Sequence, residues 1–545
     1  MSVNYRKDMV VYQIYPRSYM DSNGDGVGDI PGIISKLDYI ASLGVNAIWL
    51  SPVYVSPNDD NGYDIADYKA IQPQFGTMED FDALVAEAKK RGIGIIMDLV
   101  INHTSDEHEW FKRALAGDKT YQDYYIIREG KDGGLPNNWG NFFAECPWTK
   151  FGDTDKYYLH LFSKKQPDLN WRNPAVLEEV KEIMRFWLDR GVIGFRCDVI
   201  NVIWKDSLDD GKRSAILTGS EHYLSKDGCH NILNILRREV LDPYGAFTVG
   251  ETVFVDLEKA RDLTAPERKE LDMVFSFEHM EVDQVIVKWF KTRLVPKKLM
   301  QVITKWQVGL PWNATYFENH DQPRFISRFA DVKGYRKECA KMVAGLLFTL
   351  RGTPYFYEGQ EIGMTGGDFE SISDIMDIES HNVYKLARKL HIPRALGFKM
   401  IMRTSRDHAR TPMQWDWSKN AGFTTGTPWL KVNSNHEHIS VARDTADPRG
   451  VSAFFKQMIA LRKTTPVLME GSFESLYEGR RVYAFKREHE GKALVSVMNM
   501  TSKPAGLPEQ VKGYTNIVAC NYEEKSEMLR PFEFRLLAKD SSALS

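Results

Sequence analysis

The sequence predicts an α/β architecture: a (β/α)8 barrel with an inserted domain after its third strand and an antiparallel β-sandwich at the C-terminal end. Three observations predict it. Eight short apolar runs between residues 9 and 357 read as buried strands, and helical stretches or loops separate them. Between about 104 and 170 that rhythm stops, and aromatics, Gly, Asn and Asp fill a length too great for a loop. From about 469 onward the pattern changes to short alternating strands. The expected division is 1–103 and 171–468 for the barrel, 104–170 for the insert and 469–545 for the terminal β domain.

Composition narrows the function classes. A chain of 545 residues, 43% hydrophobic, can hold one large domain with additions or two to four domains. A net charge of -3, with no charged tail, argues against a nucleic-acid partner. Five dispersed cysteines (Cys146, Cys197, Cys229, Cys339, Cys520) without CxxC spacing point to free thiols in a reducing compartment rather than disulfides or a zinc site. No signal-peptide pattern and no bilayer-length apolar run is found, so a cytoplasmic protein without a membrane partner is expected.

The first strand is expected at 9–15. After it Asp21, Asn23, Asp25 and Asp29 alternate with glycines, a pattern that can wrap a hard cation such as calcium, with the Val27 carbonyl filling a gap. A metal-free Asx-rich turn is the plainer alternative. A helix over 33–43 and a strand over 46–50 follow, then a polar loop carrying Tyr63 and Asp64. Thr77 and Asp80 form a capping-box start for a helix with Phe81, Leu84, Val85 and Ala88 on its apolar face, ending at Arg91 and Gly92. The third strand, 93–100, carries Asp98 and runs into His103. Beyond the insert, Asn173 can cap and Pro174 can open a helix ending near Gly191. The fourth strand then runs through Gly194, Phe195 and Cys197, interrupted by Arg196 and Asp198. Two positions apart, these charges point the same way, and they are expensive there unless they pair or do chemistry. Four more strands are expected at 246–251, 273–277, 314–317 and 353–357, then a long polar excursion over 363–450 and a closing helix from Val451.

In such a barrel the C-terminal strand ends meet at one pocket. Those ends carry Asp98, His103, Arg196, Asp198, Glu251, His320 and Asp321. Each alone has an ordinary structural reading; their shared position at four strand mouths does not. Converging carboxyls raise one another's pKa, so one can stay protonated while another stays ionised. Glycosidic bond cleavage needs that pair: one attacks the anomeric carbon and one protonates the leaving oxygen. Tyr63, Trp139, Phe143 and Phe162 supply aromatic faces suited to sugar rings.

Five ordered segments now carry a resemblance. They are Asp-Leu-Val-Ile-Asn-His at 98–103, Gln-Pro-Asp-Leu-Asn at 166–170, Gly-Phe-Arg-Cys-Asp-Val-Ile-Asn at 194–201, Val-Gly-Glu at 249–251 and Glu-Asn-His-Asp-Gln-Pro-Arg at 318–324. Together they resemble the α-amylase superfamily of glycoside hydrolases (family 13). Ala-Arg-Thr-Pro-Met-Gln-Trp at 409–415 and Asn-Ala-Gly-Phe-Thr-Thr-Gly at 420–426 resemble its oligo-1,6-glucosidase and α-glucosidase branch. The resemblance implies Asp198 as nucleophile, Glu251 as acid and then base, and Asp321 as the residue gripping sugar hydroxyls. It implies substrate contacts from Tyr63, Asp64, His103, Phe162, Arg196, Val199, His320, Arg324 and Arg410. Asp64 and Arg410 would close the pocket beyond the non-reducing sugar, making the enzyme exo-acting. A structural Ca²⁺ at Asp21, Asn23, Asp25, Val27 and Asp29 is implied, and no organic cofactor. Valine after the nucleophile goes with α-1,6 linkages in this branch, so short isomalto-oligosaccharides are the expected substrates, for a monomer or weak homo-oligomer.

Three alternatives stand beside this. A trehalose-6-phosphate hydrolase needs a basic cluster at the leaving-group side, with Lys205, Lys212 and Arg213 as its candidates. A sucrose isomerase or glucosyltransferase uses an arginine-rich loop that 325–332 does not match. Non-catalytic amylase-like subunits of amino-acid transporters carry a membrane anchor and often lose catalytic acids, whereas this sequence keeps all three.

Overall fold

The computed structural model describes residues 7–143, 145–214, 217–285, 287–330, 332–524 and 526–540, so the outermost residues of the first and last expected units lie outside it. Eight parallel strands form the centre: β1 (Val11–Ile14), β2 (Ala47–Leu50), β3 (Gly94–Leu99), β4 (Gly194–Cys197), β5 (Phe247–Glu251), β6 (Met273–Phe275), β7 (Ala314–Thr315) and β8 (Thr353–Tyr357). They pair in the order β6-β5-β4-β3-β2-β1-β8-β7, a barrel with one seam between β6 and β7 among the described residues. Side chains bridge that seam. Asn313 Oδ1 accepts from Val274 N at 3.3 Å, and the Tyr316 hydroxyl donates to the Ser276 carbonyl at 3.0 Å.

The strands alternate inside and outside with the period of two expected of a pleat. Met9, Val11, Ala47, Trp49, Ile96, Val249, Met273 and Tyr355 fill the barrel, while Val10, Tyr12 and Ile14 face the surrounding helices. Helices form where the caps and apolar spacing place them. Thr77 and Asp80 make the reciprocal capping box of helix Met78–Lys90, which buries Phe81, Leu84 and Ala88. Asn173 caps helix Pro174–Asp189 through the Ala175 N–H at 2.9 Å. That helix buries seven apolar side chains, each stabilising by about 1.5–3 kcal/mol as an upper estimate.

Three departures from the regular barrel shape the pocket. The stretch after β3 holds two short helices and a three-stranded antiparallel sheet, Ile127–Glu129, Trp148–Lys150 and Lys156–Leu159. Its aromatic core (Trp139, Phe143, Trp148, Phe162) continues into Val199 and Val202 at the end of β4. The polar excursion after β8 carries two helices, Ile378–Lys389 and Arg394–Ile401, which pack on Phe369, Ile375 and Leu430. At the C-terminal end, β9 (Ser472–Glu478), β10 (Val482–His489), β11 (Lys492–Asn499), β12 (Asn516–Cys520) and β13 (Phe534–Ala538) make one antiparallel sheet, ordered β9-β10-β11-β13-β12.

The expected sandwich is therefore corrected to a single sheet. Its second layer is the barrel, because Tyr483, Phe485, Leu494, Phe534 and Leu536 join the main core. The opposite face is covered by Ala505, Val511 and Leu529 from the sheet's own loops. Close approach makes this possible: a Cβ on Gly345 of helix Val332–Thr349 would lie 2.4 Å from the Phe534 ring. Among the described residues no helix is long and apolar enough to cross a membrane.

Candidate active site

The parallel register between β3 and β4 sets Asp98 directly beside Arg196. The Arg196 guanidinium then gathers three acids. Nη1 lies 2.6 Å from Asp98 Oδ1 and 2.5 Å from Asp198 Oδ1, and Nη2 lies 2.7 Å from Glu251 Oε2. Burial works against the charge on Arg196, but the three carboxylates outweigh it and push its pKa up. Burial also pushes the Asp198 carboxyl well above the usual carboxylate range; Arg196 opposes this, and Glu251 and Asp98 add to it. Three acids on one guanidinium favour holding a proton, and the proton belongs to the group rather than to one member. The Val199 N–H donates to the same Glu251 Oε2 at 3.2 Å, which leaves Oε1 as the atom able to carry a transferable proton.

Val199 reaches that position by an unusual route. Its φ of 35° and ψ of 39° are left-handed, which costs a β-branched residue more than most. The turn ends β4 abruptly and aims the Val199 side chain into the pocket next to the nucleophile position.

Asp321 is held by a separate set of groups, an imidazole and two arginines. His320 Nε2 lies 3.1 Å from its Oδ2, and Arg410 Nη2 and Arg406 Nη1 lie 2.7 and 3.5 Å from its Oδ1. Burial alone would raise its pKa, but His320 and the two arginines hold it well below the usual range. His320 is oriented from behind. The Gln13 amide Nε2 lies 2.8 Å from Nδ1, making Nδ1 the acceptor and Nε2 the proton-bearing nitrogen. That nitrogen also lies 2.7 Å from the Tyr63 hydroxyl, and the two rings stack at 5.3 Å. His103 is kept neutral by burial, its pKa lowered to about 4, and contacts the Tyr63 carbonyl at 3.1 Å.

Around these groups lies a cavity of about 580 Å³. Of the expected residues, Tyr63, His103, Phe162, Asp198, Val199, Glu251 and Asp321 line it. Arg196, His320 and Arg410 stand behind that wall, and Arg410 also donates from Nε to the His320 carbonyl at 3.0 Å.

Two expectations are corrected. Asp64 is fully buried away from the cavity, accepting from the backbone N–H groups of Asp59 and Asp60 and from the Ser56 hydroxyl. Burial pushes its pKa up to about 7. Arg324 is also fully buried, with Nη1 3.2 Å from Glu318 and donating to the Glu358 carbonyl at 2.6 Å. It ties the β7 and β8 loops together rather than facing a ligand.

The acid and base that do close the cavity are Asp60 and Arg406, paired at 3.0 Å, with Asp377 bracing Arg406 at 2.7 Å. The Arg406 guanidinium lies over the Phe143 ring at 5.5 Å. Gln166 also lines the cavity and lies 3.1 Å from His103 Nε2. Asp60 and Arg406 each sit four residues before the residue expected in that role, and helical spacing between Arg406 and Arg410 was the available signal.

The basic cluster required for a phosphorylated leaving group does not assemble. Lys205 is buried against Asp168 at 2.6 Å, and Lys212 and Arg213 are exposed outside the cavity. In the glycine-rich loop, Asp21 accepts the N–H groups of Asn23, Gly24 and Gly26, Asn23 accepts from Asp25, and Asp29 caps the next helix through Gly32. The ligand atoms are all oxygens, the type a hard cation takes; Asp25 and Asn23 keep lone pairs for one, whereas Asp21 already accepts four hydrogen bonds, the fourth from the Thr424 hydroxyl.

Known proteins match this geometry. The alpha amylase catalytic-domain family model matches residues 13–471. The oligo-1,6-glucosidase of Halalkalibacterium halodurans is 47% identical, over 98% of this chain and 99% of its own. The trehalose-6-phosphate hydrolase of Escherichia coli is 42% identical over 96% and 97%. The crystal structure of trehalulose synthase from Pseudomonas mesoacidophila superposes with a TM-score of 0.94 at 39% identity, over 99% of this chain and all 100% of the other.

Proposed function

The chain belongs to the alpha-amylase family of glycoside hydrolases, and on that premise we propose an exo-acting, retaining α-glucosidase that releases glucose from the non-reducing end of short α-1,6-linked glucosides. One observation carries the reading: Asp198 and Glu251 share the Arg196 guanidinium on the floor of a cavity that the Asp60–Arg406 pair closes at its far end.

Asp198 attacks the anomeric carbon while Glu251 Oε1 gives its proton to the departing oxygen. Glu251, now ionised, takes a proton from the water that releases glucose and restores Asp198. Arg196 steadies both acids through the exchange. Asp321, kept ionised by His320 and the arginines, holds sugar hydroxyls as positive charge develops at the ring. Tyr63 is the platform under the ring, with His103 and Phe162 beside it. The Asp60–Arg406 pair binds the terminal hydroxyls and leaves no room for a further sugar, which makes release exo.

The α-1,6 preference rests on Val199, whose branched side chain crowds the leaving-sugar side beside the acid. Lys288 lines the cavity but is paired with Glu379, so no unpaired lysine among the cavity residues offers itself to a phosphate. Glucose release from isomaltose, maltose, sucrose and trehalose 6-phosphate, measured side by side, tests the reading. Isomaltose is expected to be cleaved fastest. A higher kcat/KM on trehalose 6-phosphate would replace the substrate, and no release from any would remove the activity.

Calcium at Asp21, Asn23, Asp25, the Val27 carbonyl and Asp29 is proposed as a structural ion, supported by the oxygen donor set, and no step of the reaction passes through it. Its expected mark is a Tm several degrees higher in calcium than in EGTA; equal values would remove it. Five free thiols support a cytoplasmic protein.

A further inference from the structure

We infer that Arg17 is a positioning residue for the closed, sugar end of the cavity: its guanidinium holds the loop around Asp60 in the turn that presents Asp60 to Arg406. This rests on the α-glucosidase reading and deepens it, because that end of the cavity is what makes release exo.

Asp60 does not reach its place by an easy backbone. Asn58 and Asn61 on either side of it are left-handed, at φ 64° and 52°, and Gly62 follows at 102°. Asparagine tolerates that region better than most side chains, yet a loop that visits it repeatedly keeps its shape only where the surroundings fix it.

The fixing group comes from the short helix Pro16–Tyr19, directly after β1. Arg17 Nη1 donates to Asn58 Oδ1 at 3.4 Å and to Asn61 Oδ1 at 3.2 Å. Both acceptors belong to the left-handed residues themselves. The Asn58 amide is oriented independently: its Nδ2 donates to the Ser56 carbonyl at 3.1 Å, which leaves Oδ1 for the arginine. Asp64 accepts the Asp59 and Asp60 N–H groups. The loop is therefore held twice, through its backbone by Asp64 and through its side chains by Arg17, and Asp60 projects between the two holds.

The same guanidinium lies over the Trp429 ring at 4.6 Å. Trp429 belongs to the excursion that carries Arg406 and Arg410. Its Nε1 donates to the Ser18 hydroxyl at 3.1 Å, and that hydroxyl donates to the Arg410 carbonyl at 2.6 Å. One side chain thus touches both segments whose acid and base must meet 3.0 Å apart across the end of the cavity. Arg17 is not part of the cavity wall, so it acts through Asp60 and not on the sugar. A lysine could supply the charge and a methionine the bulk; donating to two amides while stacking on an indole takes the planar guanidinium.

The test measures kcat and KM on isomaltose, and the calorimetric Kd for glucose, which fills the closed end alone. The proteins are the wild type, Arg17→Met, Asp60→Asn and the double variant. Arg17→Met is expected to raise KM and the glucose Kd about fivefold, with kcat changed by less than about twofold. The double variant is expected to bind no more weakly than Asp60→Asn alone, because both losses run through one residue. Constants within about twofold of wild type, or losses that multiply in the double variant, overturn the inference and leave Arg17 as packing for Trp429. If Arg17→Met does not fold, the variant Asn58→Gly, Asn61→Gly takes its place. It removes both acceptor oxygens and leaves the left-handed turn open to the backbone. The same rise is expected there, and unchanged constants overturn the inference. A wild type that binds glucose without cleaving isomaltose sinks the hydrolase, and the Kd shift then decides Arg17 by the same criterion. A wild type that binds no glucose sinks both.

Discussion

Arg196 and Arg462 are both fully buried arginines at the barrel, one at each end, and their surroundings are opposite in kind. Arg196 is ringed by Asp98, Asp198 and Glu251. Arg462 meets carbonyls: Nη1 donates to Phe348 and Leu350 at 3.0 and 2.9 Å, and Nη2 to Gly352. Burial lowers its pKa to about 10. Arg487 does similar work beside it, donating to Thr349 and Gly471 at 2.8 Å each. All of these carbonyls but Gly471 end helix Val332–Thr349 or enter β8, where intrahelical donors have run out. At the closed end a guanidinium serves as a fork of donors; at the open end its charge permits acids to crowd together. Stability and chemistry thus use the same side chain for different properties.

Glu251→Gln should break the comparison most sharply at the open end. Isomaltose hydrolysis is expected to fall about a thousandfold or more, since the amide keeps the Arg196 contact but cannot give up a proton. An almost unchanged Tm in thermal melts would show that the cost is chemical. Arg462→Met should act in the reverse sense. Leaving three carbonyls without donors is expected to lower unfolding free energy by about 4 kcal/mol in urea titration, with kcat of the folded fraction preserved.

Glu361 sharpens the contrast further, because it is a buried acid held by the Tyr12 and Tyr39 hydroxyls at 2.8 and 2.9 Å instead of by a guanidinium. Burial pushes its pKa from 4.5 up to about 7. The folded state therefore keeps a proton that the unfolded chain releases, so stability is fully present below about 4.5 and falls as pH rises to about 7. Glu361→Gln cannot ionise, and relative to it the wild type should lose about 3 kcal/mol across that window. Parallel pH profiles for the two proteins would refute this. The smallest effect belongs to Asp60→Asn, which weakens the pair with Arg406: kcat/KM for isomaltose is expected to drop about tenfold, mostly through KM.

Much of this was legible in the sequence because strand ends announce themselves. Runs that end at an acid put Asp198 and Glu251 at the mouth directly; Asp98 lies inside its run and Asp321 four residues past its own. The loop between Asp59 and Asp64 was not legible, since three acids lie within six residues and spacing does not say which faces inward. Positive φ at Asn61 and Gly62, 52° and 102°, turns Asp60 toward the cavity and Asp64 away from it. Spacing does not separate the roles of Arg406 and Arg410 for a related reason. Both reach Asp321, and only the fold of the excursion decides which one also reaches Asp60. The terminal domain's alternation signalled strands but not their covering layer, which turned out to be the barrel itself.

The excursion that supplies Arg406 and Arg410 has a consequence for the newborn chain. A ribosome delivers Asp60, Asp98, Asp198, Glu251 and Asp321 before either arginine exists, and Arg406 is three-quarters of the way along the 545 residues. Strands β1 to β8 can assemble early, but Asp60 and Asp321 wait some eighty residues after Asp321 emerges for their counter-charges. At roughly 5–20 residues per second that interval is on the order of ten seconds. The sugar end of the pocket is thus the last part of the barrel to be neutralised during translation, and a chain halted before Arg406 carries a half-built pocket whose charges still hold it open to water.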